Sequence, residues 1–163
     1  MTTFDMIASG YRMARQMVHG MCADLTPEEF YHQPVAGANS AAWIVGHLAL
    51  SAKRAAERLG ATGVPDVSEE IVTRFKATRQ AAGQQHDLGT KAELLALLDV
   101  ASEKLMEAIR GLPPEALTGP APTTAPPSVK NSGEMLLFGA LHITMHCGQL
   151  STIRRGLGKP PIM

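Results

Sequence analysis

Residues 135–150, which read MLLFGALHITMHCGQL, contain the pattern that decides the fold and the site. The stretch is apolar nearly all round a helix, so it predicts a central, buried helix. Wound at about 100° per residue, its polar residues His142, His146 and Gln149 fall on one stripe. Two buried imidazoles at positions i and i+4 can turn towards a single point, where a divalent metal ion satisfies both.

Helix signals extend outward from this stretch, and strand signals are nearly absent. Capping residues, stop glycines and apolar periodicity predict three further long helices and two short ones in the connections. Four long helices make an all-α four-helix bundle the economical architecture, without guaranteeing simple up-and-down order. The long helices are expected at residues 4–22, 40–59, 90–111 and 132–156, the short ones at 26–29 and 68–75, and loops at 83–86 and 118–130.

Length and charge limit the possible classes of protein. The 163 residues are 45% apolar, which predicts a single domain over residues 1–163. Fifteen basic and fifteen acidic side chains cancel, so neither a nucleic-acid footprint nor a polybasic membrane patch is expected. No apolar run is long enough for a transmembrane helix, the start lacks a signal peptide, and two cysteines make no disulfide framework. We therefore expect a soluble, cytoplasmic protein.

A third histidine extends the possible metal site. His47 lies in the second long helix, among the apolar or small residues 44–50. Taken alone, such a histidine is more often a core residue bonded to a backbone carbonyl. Together with the pair His142 and His146, however, the three favour one metal ion.

The motifs around these histidines resemble the DinB-like family of metalloenzymes. The resemblance comes from WIVGHL at 43–48, HITMHCGQ at 142–149 and RRGLGKPP at 154–161. It implies a four-helix bundle with a three-residue metal site, in which His47, His142 and His146 would be the ligands. It also implies frequent homodimers and a bacterial origin.

Other side chains receive simpler interpretations, although several functional alternatives stay open. Cys147 points about 100° away from His146, which favours a buried structural thiol. Gln149 is expected to bond a metal-bound water or to be a plain structural amide. Arg54 and Arg58 follow His47 on one helical face and would meet either solvent or an anionic substrate. Ordinary polar roles are expected for His19, His32, His86, Arg154 and Arg155.

Three neutral nitrogen ligands leave a coordination position open, which is typical of catalytic zinc. The first hypothesis is therefore a metal-dependent enzyme, a transferase, isomerase or hydrolase, with zinc or nickel as the metal. Because some relatives of the resembled family are thiol-dependent S-transferases or isomerases, a small thiol is the first candidate for a substrate or cofactor, with another small molecule as the alternative. The alternatives are a non-catalytic metal-binding stress or sensor protein, and a structural dimer whose histidines satisfy each other or water.

The first helix is apolar over about twice the arc that one core contact needs. A stripe of four methionines lies beside the stripe that faces the core. We expect this second stripe to help bury a homodimer interface or to lie under the short helix near residues 26–33. Its members are Met6, Met13, Met17 and Met21.

Overall fold

A computed structural model describes residues 1–76 and 88–162 of the chain. Every regular element in these residues is helical, which confirms the all-α prediction. The predicted loop at residues 83–86 lies outside the described residues. The elements are α1 (Thr3–Cys22), α2 (Pro27–Phe30), α3 (Ala41–Arg58), α4 (Glu69–Lys76), α5 (Lys91–Arg110), a 3₁₀ turn (Pro114–Leu117) and α6 (Ser132–Gly156).

Side-chain caps fix where the long helices begin. The hydroxyl of Ser40 accepts a hydrogen bond from the Trp43 amide and starts α3. Thr90 and Glu93 form the predicted capping box of α5. Asn131 caps α6 by accepting from the Glu134 amide. Both short helices form in the connections as predicted, and residues 118–130 contain no helix. The 3₁₀ turn was not predicted.

Two hydrogen bonds show that α1 and α6 run side by side in the same direction. The Tyr11 hydroxyl donates to the Leu136 carbonyl at 2.9 Å, near the start of α6. Towards the other end, the Arg154 guanidinium donates to the Met21 carbonyl at 3.0 Å. Tyr11 reaches α6 because Gly139 lacks a side chain, since a Cβ there would stand 1.8 Å from the tyrosine oxygen.

The remaining helices run against this pair. Arg15 bonds Glu103 and His19 bonds Asp99, so α1 and α5 are antiparallel. The ring of His47 in α3 faces His146 late in α6, whereas the end of α3 meets the start of α6. The order along the chain is therefore up, down, down, up. Helices α3 and α5 are therefore parallel.

The central helix of the bundle is α3, and the prediction that α6 would be central was wrong. Almost every residue of α3 from Ala41 to Leu50 is buried, with His47 the partial exception. By contrast, Leu137, Leu141 and Met145 of α6 are 52%, 52% and 59% exposed. The reason is that α6 packs against α1 and the edge of α3, which leaves one apolar face of α6 turned outward.

Arg154 differs from the expectation of an ordinary cation in the last turn of α6. Its side chain is buried and forms a two-pronged contact with the carboxylate of Asp24. It also donates to the carbonyl oxygens of Met21 and Pro160. The guanidinium thus ties together the end of α1, the end of α6 and the C-terminal segment, because its planar donors serve several acceptors at once.

Exposed apolar side chains on α1 and α6 form one surface. Helical winding places Met6 and Met13, both more than half exposed, on the same outer side of the pair as Leu141 and its neighbours. These two methionines do not lie under α2, whereas Met21 belongs to the core. In residues 1–76 and 88–162, none of the helices has an apolar stretch that could cross a bilayer. Several exposed apolar side chains on two packed helices are typical of a protein interface.

We expect this outer face of α1 and α6 to form the interface of a homodimer. Leu141→Glu places a charge in that face and should convert the dimer to a folded monomer, as measured by light scattering and circular dichroism. Val100→Glu is the matched control, because Val100 is an exposed aliphatic residue on α5. A wild-type protein that is monomeric at all concentrations would contradict the expectation.

Candidate metal centre

Three imidazole rings converge where α3 faces α6. His142 and His146 lie on successive turns of α6, and α3 brings His47 opposite them. The ring centroids are 4.7 Å apart for the pair on α6, and His47 lies 5.1 Å from His146 and 5.3 Å from His142. One nitrogen from each ring lies within 4.8 Å of those of the other two. The structure therefore brings together the three residues that the sequence singled out.

Hydrogen bonds at the far side of two rings decide which nitrogen faces the cluster. The Nδ1 of His47 lies 3.3 Å from the carbonyl oxygen of Phe75, which can only accept, so Nδ1 carries the proton. The Nδ1 of His146 donates to the side-chain oxygen of Gln149 at 2.9 Å. The Nε2 atoms of both rings are then unprotonated and present lone pairs. This outer set of partners is the usual way in which metal-binding histidines are oriented.

The remaining contact fits a metal ion as well. The Nε2 atoms of His142 and His146 are 3.1 Å apart. Two ligands on a tetrahedral zinc ion, each at about 2.0–2.1 Å, would be roughly 3.3 Å apart. Without an ion, His142 would donate its Nε2 proton to His146. The donor set therefore matches a divalent ion that prefers imidazole, such as zinc or nickel.

The electrostatics of the cluster keep the rings neutral. Burial, with smaller contributions from the neighbouring rings of His146 and His47, lowers the pKa of His142 to about 4. Burial is also the largest cause that lowers the pKa of His47 and of His146. Because a metal ion binds the unprotonated ring, neutral histidines are ready to coordinate at neutral pH.

Aromatic rings support the histidines from outside the cluster. The indole of Trp43, fully buried, stacks on His47 with centroids 4.8 Å apart and planes 9° from parallel. Phe138 stacks more distantly on His142, at 6.3 Å. These contacts limit rotation of the rings and help to hold their nitrogens towards one point.

The segment between α3 and α5 also contributes to the cluster, through α4. Gly46 lets the ring of Phe75 lie directly on α3, because a Cβ at this position would stand 2.2 Å from that ring. The carbonyl of the same phenylalanine accepts the hydrogen bond from Nδ1 of His47. This carbonyl could not be predicted, since a backbone oxygen has no residue signature, although the glycine before His47 is consistent with a close approach.

A cavity of about 640 Å³ opens beside the cluster and reaches His142. Helix α3 and the first half of α6 form two of its walls, and the Pro-rich loop adds a third through Pro122, Thr124 and Pro126. Its volume lies in the range of sites that bind small molecules. Access to His142 from this space lets a ligand reach the cluster.

The other singled-out residues lie around this site or away from it. Gln149 orients His146 on the side away from the cluster. Cys147 is buried against the Ala14 carbonyl and burial raises its pKa to about 11, which confirms a structural thiol. Arg54 and Arg58 line the cavity. His19 pairs with Asp99, His32 is exposed, and His86 lies outside the described residues.

A helical bundle whose facing helices each supply histidines to one point defines a class of metal-binding bundle proteins. The family model of the DinB superfamily matches residues 11–150, and the chain belongs to this superfamily. A comparison with curated proteins found no match. A crystal structure of a conserved protein from Enterococcus faecalis is similar in fold, with a TM-score of 0.74 and 17% identity over 98% of this chain and 99% of that chain.

Superfamily membership and the three-histidine cluster together fit a divalent-metal-binding DinB-like protein. Among the described residues, no further histidine, cysteine, aspartate or glutamate joins the cluster.

Substituting Gly46 tests the link between α4 and the cluster. Gly46→Ala should push Phe75 away from α3, lower the stability by about 1–3 kcal/mol and weaken metal binding by disturbing His47. Thermal unfolding and metal titration measure the two effects. Gly148→Ala is the control, since a Cβ there meets nothing within 4 Å and alanine favours the helix. A Gly46→Ala protein with wild-type stability and metal affinity would contradict the link.

Proposed function

We propose that this chain is a metal-dependent enzyme that acts on small thiols, as an S-transferase or isomerase. The observation that carries the proposal is the convergence of three neutral imidazoles beside a cavity that reaches one of them. A site that only stabilises a fold is usually closed by four protein ligands, whereas three ligands leave a position for a small molecule. The ligand assignment of His47, His142 and His146 is part of this proposal.

His47, His142 and His146 would hold a divalent ion, which would lower the pKa of a thiol or a water molecule bound to it. The chain prepares this chemistry by fixing the rings. The Phe75 carbonyl accepts a hydrogen bond from Nδ1 of His47, and the Gln149 side chain accepts one from Nδ1 of His146. The protonated nitrogen of each ring therefore faces away from the cluster. The cavity provides space for an electrophile next to His142.

Thiol chemistry fits the residues around the cluster better than hydrolysis does. Hydrolysis usually needs a general base to activate water. Among the described residues that line the cavity, none is an aspartate or a glutamate. A thiolate is itself a strong nucleophile, so its transfer needs no such base. Some members of the resembled family are thiol-dependent, which points the same way.

A non-catalytic metal-binding stress or sensor protein is the second candidate. The same shortage of acid–base groups favours it, because a sensor needs ligands and no proton-transfer residue. The two free, buried cysteines fit a reducing cytoplasm for either candidate. The expected homodimer is compatible with both, because its face includes exposed residues of α6 such as Leu141 and none of the three histidines.

Metal content is the first expected outcome. Protein purified without a nickel column should contain about one zinc or nickel ion per chain by elemental analysis. His142→Ala should lose this ion. His19→Ala should keep it, because His19 pairs with Asp99 away from the cluster. Full metal content in the His142→Ala protein would contradict the ligand assignment.

Thiol binding is the second expected outcome. Glutathione and other small thiols should produce an intense thiolate charge-transfer band in the cobalt-substituted protein, and binding should release a proton. Turnover of the same thiols with generic electrophiles should require the metal. His47→Ala is the control for both measurements. A metal-loaded protein that shows neither a band nor turnover would favour the sensor candidate.

A further inference from the structure

Two arginines form the basic part of the cavity wall. Arg54 and Arg58 lie on α3, one helical turn apart, and both line the cavity that reaches His142. The described lining residues include no aspartate or glutamate, so nothing in the lining balances their charge. The cavity therefore carries a net positive charge, although the chain as a whole is neutral.

Neither guanidinium forms an ion pair with a described residue. The hydrogen bond that involves both is made by the Arg58 Nε, which donates to the backbone carbonyl of Arg54. The neighbouring cation on the same helix behaves differently, because Lys53 pairs with Glu57 one turn away. The two arginines thus keep most of their donors available, and the planar guanidinium fork matches the oxygens of a carboxylate or a phosphate.

The positions of Arg54 and Arg58 on α3 determine how far the two arginines lie from the histidine cluster. Arg54 follows His47 by seven residues and Arg58 by eleven, which places them about 10 Å and 16 Å further along the helix axis. His47, Arg54 and Arg58 share one face of the helix. About 10 Å is also the length of three extended amino-acid residues. A molecule of that size can have one end at the histidines and the other at the arginines.

Between these two ends the cavity is mostly apolar. Leucine, alanine and other apolar side chains of α3, α5 and α6 supply this part of the wall. An extended molecule that fills it buries apolar surface, which contributes to binding. The residues concerned include Leu48, Ala52, Leu105, Leu136 and Ile143.

We propose that the cavity binds an elongated small molecule, of about tripeptide length, whose acidic group is held by Arg54 and Arg58 and whose other end reaches the histidine cluster. The acidic group is a carboxylate or a phosphate, and the middle of the molecule is apolar. The part that concerns the histidine end rests on the proposed function. Recognition of the acid rests on the arginines alone.

Acid recognition can be measured on the full chain without metal. Calorimetry should show that octanoate or octyl phosphate binds more tightly than octanol, and added salt should weaken the acids only. The tighter of the two acids identifies the preferred group. Arg54→Gln should weaken acid binding about tenfold and leave octanol binding unchanged. Arg58→Gln should have the same selective effect, and Arg110→Gln, at the end of α5, serves as the control.

Equal affinity for the acids and for octanol, or wild-type acid binding in both cavity variants, would overturn the proposal. Arg58 is exposed, so Arg58→Gln keeps the test decisive if Arg54→Gln does not fold. Circular dichroism identifies that case.

A separate measurement tests whether a molecule held by the arginines also reaches the histidine cluster. In cobalt-loaded protein, mercaptooctanoate should produce the thiolate band at a lower concentration than mercaptooctanol, and Arg54→Gln should remove this difference. If both thiols produced the band at the same concentration in the wild-type protein, the proposal that one molecule reaches from the arginines to the histidines would be overturned. If no metal or thiol binds at all, the proposed function fails, while the calorimetric result for octanoate still decides acid recognition.

Discussion

Imidazole nitrogens that lose contact with water need partners, and this requirement connects segments that are far apart in the sequence. His47 meets it through the Phe75 carbonyl, and His146 meets it through Gln149. Both partners lie on the side of the ring away from the cluster. The inner nitrogens are left facing one another, and because only His142 has a proton to donate there, hydrogen bonds among the neutral rings cannot satisfy all three. Residues of α3, α4 and α6 all take part in this arrangement.

Much of the fold could be predicted because its signals are local. A capping threonine or serine and a periodic apolar face are each contained within a few residues, and the helices at Ser40 and Thr90 begin where those signals lie. The HxxxH spacing likewise places His142 and His146 on one face without knowledge of the fold. The apolar helical setting of His47 pointed to the third histidine, the family resemblance agreed, and the structure places it at the same point.

Other features could not be predicted, because they depend on the direction and neighbours of a helix. The sequence of α6 is apolar on several sides. Periodicity alone does not show which apolar face packs against the core and which stays exposed, as the face with Leu141 does. The relative direction of two helices cannot be predicted from local signals either, and no local feature of the sequence indicates that α1 and α6 are parallel. Arg154 looked like a surface cation, yet the acceptors that allow its burial come from the end of α1 and from Pro160.

The order of the helices has a consequence for the time at which the centre assembles. Two of the three histidines lie in α6, the last long helix described, and the third lies in α3, which is made much earlier. On the ribosome, His47 is made long before the two histidines of α6. An ion held by all three could therefore not guide the early folding of this bundle, because its site is complete only after α6 has emerged.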